Sequence, residues 1–318
     1  MDPSEVTPVE FHEGRWYKRD DLHRHPSGVN GGKWRQCQWL VARAADAGAV
    51  GIVTGASVLS PQLPMTAVAA ELAGLPCVIT VGGTTPLSAM RHPGVRLAVE
   101  HGARVHTAPV GYNPTLQAHV RTHLRPGWSI LHYGVAPPAD ATTATVAAFH
   151  GLGAAQAAAL PPGIEHLIVP FGSGNTAASV LLGLARHPTI RRVSLIGIGP
   201  NRERWLQARL RLLEAATGAP AWSAVGPRYQ LDLFDLHAAG EVSYGRAVRY
   251  TSDGIVLHPT YEGKVADWLD RSGAVPGWTD RDGATCLWVV GGPLPERPPK
   301  PRTARRGSSF PERVAPAG

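Results

Sequence analysis

The sequence predicts an α/β protein in which parallel sheets are flanked by helices. Two observations predict it. Strand-length apolar runs alternate with helix-length stretches from residue 34 to residue 216, the order expected of parallel strands joined by helical crossovers. Two glycine-rich turns, "GVNGGK" at 28–33 and "GSGNT" at 172–176, each stand where a helix is about to begin.

The elements follow in order. "WRQCQWLVARAADAGA" (34–49) has apolar residues at helical spacing, and "VGIVTGA" (50–56) is a short buried strand. "LPMTAVAAELAGL" (63–75) reads as a helix and "PCVITVGG" (76–83) as a strand. "ARVHTAPV" (103–110), "NPTLQAHVRTHL" (113–124) and "WSILHYGV" (128–135) continue as strand, helix, strand. The alanine-rich "ATTATVAAFHGLGAAQAAAL" (141–160) is a helix before the strand "IEHLIVPF" (164–171). "NTAASVLLGLARH" (175–187), "RRVSLIGIG" (191–199) and "RERWLQARLRLLEAA" (202–216) complete the alternation as helix, strand, helix. Residues 226–250 are too irregular to assign, and no repeat of 20–50 residues is visible.

Composition sets the class. The 318 residues are 43% apolar and 17% charged, a globular mixture with room for one large or two modest domains. The longest apolar region is interrupted by Pro61, Pro64 and Glu71, so no membrane-spanning run is expected. The acidic start "MDPSEVTPVEFHEG" lacks a signal-peptide core, and Cys37, Cys77 and Cys286 form no CxxC pair. They read as free thiols, which suits a reducing cytoplasm. Of the formal +7, residues 294–318 supply +4 through Arg297, Lys300, Arg302, Arg305, Arg306 and Arg313 against Glu296 and Glu312. This proline-rich segment is expected to be a disordered basic tail, serving solubility or contact with a polyanion such as nucleic acid.

The turn at 172–176 carries the clearest chemistry. A strand enters Gly172-Ser173-Gly174-Asn175-Thr176 and a helix leaves at once. Glycines admit a ligand close to the backbone, and free N–H groups at a helix start hold an anion such as phosphate. A tight, well-capped turn would have the same sequence. The stretch also fits G-x-G-x-x-A, but the following strand "VSLIGIGP" ends without the acidic residue that grips a ribose, which disfavours NAD. No GK[ST], GxSxG or HExxH occurs. His23 and His25 in "LHRHP" lack a nearby third ligand, so no metal is expected.

Five segments in order, "YKRDDLHRHPSGVNGGKWRQ", "TGASVLSPQLPMTAVAAELAGLP", "FGSGNTAAS", "YTSDGIVLHPTYEGKVADWL" and "CLWVVGGP", resemble the tryptophan-synthase-like, fold type II pyridoxal-phosphate enzymes. The nearest branch is the aminocyclopropane-carboxylate deaminase and D-cysteine desulfhydrase group. The resemblance spans about residues 15–295. It implies two doubly wound parallel or mixed sheet domains. Residues 1–45 with 135–293 would form a large cofactor domain, 46–134 a small α/β domain, and 294–318 the tail. It implies a homodimer and pyridoxal 5'-phosphate as cofactor.

Lys33 matches the lysine that bonds covalently to the cofactor, and Gly172, Ser173, Gly174, Asn175 and Thr176 match the phosphate cup. Ser57, Ser60 and Gln62 match a polar loop that touches the cofactor hydroxyl or the substrate carboxylate. Tyr261 matches the substrate-side tyrosine of PxYxGK. Three departures stand out. Pro61 replaces an asparagine of the polar loop, Leu287 replaces an aromatic displaced to Trp288, and Val289 and Val290 stand where polar groups are frequent. The resemblance implies a lyase acting at Cα of an amino-acid group.

The chain also resembles the viral members that finish hypermodified thymines in phage DNA. This favours a decarboxylase that leaves an aminoethyl group on the base, working in the host cytoplasm. Trp16, Trp34 and Trp39 near the lysine loop would suit base stacking, or simple packing. The alternatives are a cytoplasmic deaminase or desulfhydrase of a small free amino acid, and a catalytically silent protein that binds cofactor or nucleic acid.

Overall fold

The computed structural model describes residues 2–292 except 112, 186, 220–228 and 244. The basic tail lies outside the described residues. The chain opens with an antiparallel hairpin, β1 (Val9–His12) and β2 (Arg15–Arg19), which the sequence reading did not assign. Helix α1 (Gly32–Asp46) then leads into a parallel sheet of β3 (Gly51–Ser57), β4 (Cys77–Gly82), β5 (Arg104–Ala108) and β6 (Trp128–Leu131), in the order β5-β4-β3-β6. Its helices are α2 (Gln62–Leu72), the short α3 (Pro86–Ala89), α4 (Pro93–Glu100) and α5 (Asn113–Thr122). Every residue of β3 but the last, and all of β4, is buried, as expected of strands covered on both faces.

After α6 (Thr143–Ala158), the chain returns with β7 (His166–Phe171), α7 (Asn175–Leu184), β8 (Arg192–Gly197), α8 (Glu203–Thr217) and β9 (Gln230–Asp235). A hairpin of β10 (Tyr250–Ser252) and β11 (Ile255–Leu257) precedes α9 (Glu262–Ser272), α10 (Pro276–Thr279) and β12 (Thr285–Val289). The six-stranded sheet runs β1-β2-β12-β7-β8-β9, parallel except for the edge strand β1. β9 falls inside the stretch left unassigned from sequence. It is a half-buried edge strand, "QLDLFD", whose polar residues dilute the apolar signal.

One apolar cluster joins Leu167, Val169, Leu181, Val193, Leu195, Leu210 and Trp288. A second joins Trp34, Cys37 and Leu40 of α1 to Ile52, Leu63 and Ile79 of the small sheet and to Phe149 of α6. Helix α1 is therefore packed between the small sheet and helix α6. Its first turn faces the carboxyl ends of strands from both sheets, where ligands bind in open α/β sheets. Cys37, Cys77 and Cys286 are buried free thiols, and burial pushes the last two up to about 12.

Candidate active site

Lys33 is the second residue of α1. Gly31 caps that helix at φ 95°, and a side chain there would collide with the Val290 carbonyl oxygen, to which Gly32 N–H donates at 3.2 Å. Asn30 donates to the Gly292 carbonyl at 3.0 Å and accepts from the Gly292 N–H at 2.8 Å. The bare loop before Lys33 is thus fitted backbone-to-backbone against the end of β12, which only glycine permits.

The Lys33 ammonium makes no hydrogen bond or ion pair among the described residues, and its Nζ lies 5.4 Å from the centroid of the Tyr261 ring. The side chain is half-buried and faces an internal slit rather than bulk water. The protein packed around it disfavours the charge and pulls its pKa down to about 8. The positive end of the α1 dipole acts in the same direction.

The slit has two chambers. One, about 30 Å³, is lined by Lys33, Gly172, Ser173, Gly174, Thr176 and Tyr261, with Ile198, Val290 and Gly291. The other, about 40 Å³, is lined by Lys33, Ser60, Gln62, Gly172, Ser173, Tyr261, Tyr133 and Arg202. Lys33 and Tyr261 belong to both and form part of the wall between them. Seven of the residues expected from sequence therefore meet around Lys33.

Two do not. Ser57 is half-buried at the end of β3 and lines neither chamber. Asn175 is buried behind the turn, where its side-chain amide donates to the Gly134 carbonyl at 3.1 Å. Gln62 lines the slit, but its amide is already engaged. It donates to Thr54 Oγ1 at 2.7 Å and the His132 carbonyl at 3.0 Å, and accepts from Gly134 N–H at 2.8 Å. The tryptophans serve packing. Trp34 is fully buried, the Trp16 ring rests on Phe11 and donates to the Gly283 carbonyl, and Trp39 packs on Phe149.

The two glycines of the 172–176 turn differ. Gly174 caps α7 at φ 94°, and a Cβ there would sit 2.5 Å from the Trp205 ring. At Gly172 a Cβ would meet nothing within 4 Å. The open space is thus at Gly172, whereas Gly174 is required by the turn and by Trp205. No side chain caps α7, so its first N–H groups remain available to an anion.

Two further residues escaped the sequence reading. Glu262, at the start of α9, is completely buried. Its Oε1 accepts the Gly291 N–H at 2.8 Å, while Oε2 has no partner, and burial pushes its pKa up to about 8. Helical spacing carried a signal, since Glu262 precedes the buried Val265, Ala266 and Leu269 on one face. Arg202, half-buried in the loop after β8, lines the second chamber and has no hydrogen-bonding or ionic partner among the described residues.

An unpaired lysine, an uncapped helix start opposite an open glycine, and an orphaned buried carboxyl oxygen all suit a ligand with an aldehyde, a phosphate and a ring N–H. These features define an α/β enzyme that holds an anionic, carbonyl-bearing cofactor between its two sheets, and pyridoxal phosphate fits them. A family profile described as "Pyridoxal-phosphate dependent enzyme" matches residues 6–271, and the chain belongs to that family. Its cofactor is pyridoxal 5'-phosphate.

An O-seryl-dTMP PLP-dependent decarboxylase of Salmonella phage ViI is 30% identical over 344 aligned residues, covering 90% of this chain and 80% of that protein. Nocardicin C-9' epimerase of Nocardia uniformis subsp. tsuyamanensis is 30% identical over 220 residues, covering 67% of this chain and 66% of its own. Among solved structures, an ACC deaminase homologue superposes with a TM-score of 0.68 at 22% identity, covering 92% of this chain and 90% of that one. That likeness establishes the shared two-sheet fold. Among the described residues, no helix is long and apolar enough to cross a membrane.

Proposed function

We propose that this enzyme decarboxylates an amino-acid group carried on a thymine nucleotide, leaving an aminoethyl group on the base. The observation that carries the reading is the 30% identity, over 90% of the chain, to the phage O-seryl-dTMP decarboxylase. Decarboxylation at Cα needs a free α-amine and a free α-carboxylate. The seryl group must therefore be attached through its side-chain oxygen. Per turnover, one proton replaces one CO2 at Cα.

The bound cofactor supplies an electron sink for the charge left on Cα. Lys33, whose amine loses its proton around pH 8 rather than near 10.5, would hold it covalently. Lys33 Nζ, which lines both chambers, would also be the group placed to deliver a proton to Cα. The N–H groups after Gly172 and the hydroxyls of Ser173 and Thr176 would hold the phosphate. Glu262, whose unpartnered Oε2 lies behind Gly291 of the slit wall, would accept the pyridine N–H and favour a protonated ring nitrogen. Tyr261 bounds the substrate side of the ring, and Ser60 orients the amino-acid carboxylate. Arg202 adds a fixed positive charge for the anions gathered there.

A second reading is favoured by the epimerase relative, which matches 67% of the chain. In it the Cα–H bond breaks and the carboxylate stays. Incubation of the loaded enzyme with O-seryl-thymidine monophosphate in deuterated water, followed by mass spectrometry, separates the two. Loss of CO2 with one deuterium gained supports decarboxylation. Deuterium gain without CO2 loss supports epimerisation and overturns the first reading.

A further inference from the structure

A cavity of about 380 Å³ adjoins the slit and shares Ser60 with it. It is about ten times larger than either chamber around Lys33, and it falls in the range of about 300–1,000 Å³ that takes drug-sized ligands. Four segments distant in sequence build it, drawn from 26–28, 58–64, 92–97 and 245–260. It runs along His258 to Thr260, directly before Tyr261, and the His258 and Tyr261 rings stack at 4.9 Å and 28°. Ser60 therefore borders both the slit that holds Lys33 and this larger space.

The walls say what would be welcome there. Leu59, Leu97, Pro61, Pro64, Pro93 and Pro259 supply rigid apolar surface. The polar lining is confined to small hydroxyls (Ser27, Ser60, Thr260) and two imidazoles (His92, His258), and no Asp, Glu, Lys or Arg takes part among the described residues. Burial, with Arg96 nearby, lowers the His92 pKa and so favours the neutral ring. A carboxylate or ammonium would be desolvated there without a counter-ion. A small free amino acid would leave the cavity to water against apolar walls. A flat, neutral heterocycle with a few hydrogen-bonding edges satisfies both constraints.

We infer that this cavity is the base subsite, in which Leu59, Pro61, Pro64, His92 and Pro93 enclose the pyrimidine that carries the amino-acid group. The inference rests on the nucleotide reading above, and it makes these residues determinants of substrate specificity. Gly94 offers a test that leaves the machinery around Lys33 untouched. It lines the cavity at the start of α4, and a Cβ there meets only Pro64 ring atoms, at 3.6 Å. Gly94→Leu therefore fills the cavity without backbone strain, and Leu59→Trp fills it from the 58–64 loop.

Binding of dTMP and of a short oligothymidylate, neither carrying an amino-acid group, is measured by isothermal titration on the cofactor-loaded enzyme. Turnover is measured in parallel with O-seryl-thymidine monophosphate and with O-methylserine. Both variants should weaken dTMP and oligothymidylate binding about tenfold or more. They should raise KM for the seryl nucleotide similarly with kcat kept, and leave cofactor absorbance and any O-methylserine turnover unchanged. The tighter of the two wild-type ligands identifies a free nucleotide or a strand as the carrier. Failure of the wild type to bind either ligand, or equal binding by wild type and both variants, overturns the base subsite even if decarboxylation is observed. Binding that the variants abolish, without decarboxylation by the wild type, upholds the subsite and overturns the decarboxylase reading.

Discussion

Asn30 and Gly292 exchange two hydrogen bonds, 3.0 and 2.8 Å long, across 262 residues of sequence. The pair ties the loop that presents Lys33 to the end of β12, so the lysine's position is set by that strand's end as well as by α1. Asn30→Ala removes both bonds and leaves the Gly292 N–H and carbonyl without the side chain that pairs them. A stability loss of about 1–2 kcal/mol is expected, together with slower capture of cofactor. Thermal melting and the growth of visible absorbance on adding pyridoxal phosphate measure the two effects. A variant as stable and as quick to load as the wild type would mean that the loop is held by Gly31 and Gly32 alone.

Lys33 should react as an amine of pKa about 8. Its folded value lies below the 10.5 of a free lysine because burial disfavours the charge. Only the neutral amine attacks the cofactor's aldehyde. The loading rate of cofactor-free enzyme should therefore rise with pH and level off just above about 8, instead of climbing towards 10.5. Stopped-flow absorbance across that range reads it directly. Lys33→Ala should lose the lysine-bound absorbance and all turnover while keeping the fold; persistence of either would remove Lys33 from the chemistry.

The two glycines of the 172–176 turn should respond oppositely to substitution. Gly174→Ala places a Cβ at φ 94° and 2.5 Å from the Trp205 ring, and should cost about 1–3 kcal/mol of stability. Gly172→Val points into open space, so the melting temperature should change little while cofactor retention weakens. Dialysis followed by absorbance gives retention, and calorimetry gives stability. If Gly172→Val retained cofactor fully, the phosphate would have to lie elsewhere.

What was legible in the sequence follows from how local each signal is. β7 and β8 are continuous apolar runs, and Lys33 and the 172–176 turn sit at strand-to-helix junctions that a single stretch reveals. β1 and β2 were missed because an edge hairpin with Glu10, Arg15, Lys18 and Arg19 carries its charges among its apolar residues. Lys18 is fully buried all the same, with its Nζ donating to Thr7 and Gln156, a network no local pattern announces. The large cavity was invisible for the same reason, since its walls come from four segments far apart in sequence. Asn175 reads as part of a phosphate cup, yet its side chain serves Gly134, 41 residues away.

Glu262 links stability to pH and to the cofactor. Burial raises its folded pKa to about 8 from an ordinary 4.5, so between those values the folded state holds a proton that the unfolded chain has released. Its contribution to stability is therefore full below about pH 4.5 and is lost as pH rises to about 8, at up to about 1.4 kcal/mol per pH unit. Glu262→Gln has no such proton. Urea unfolding of cofactor-free protein at several pH values should show a decline in the wild type that the variant lacks. A cofactor whose pyridine N–H reached Oε2 would favour the carboxylate, so on that assignment the wild-type decline should shrink in the loaded enzyme. The variant should still load cofactor through Lys33 but turn over more slowly, because its amide no longer keeps the ring nitrogen protonated. Parallel pH profiles for wild type and variant, loaded and unloaded alike, would show that this carboxyl is a packing group with no part in holding the ring.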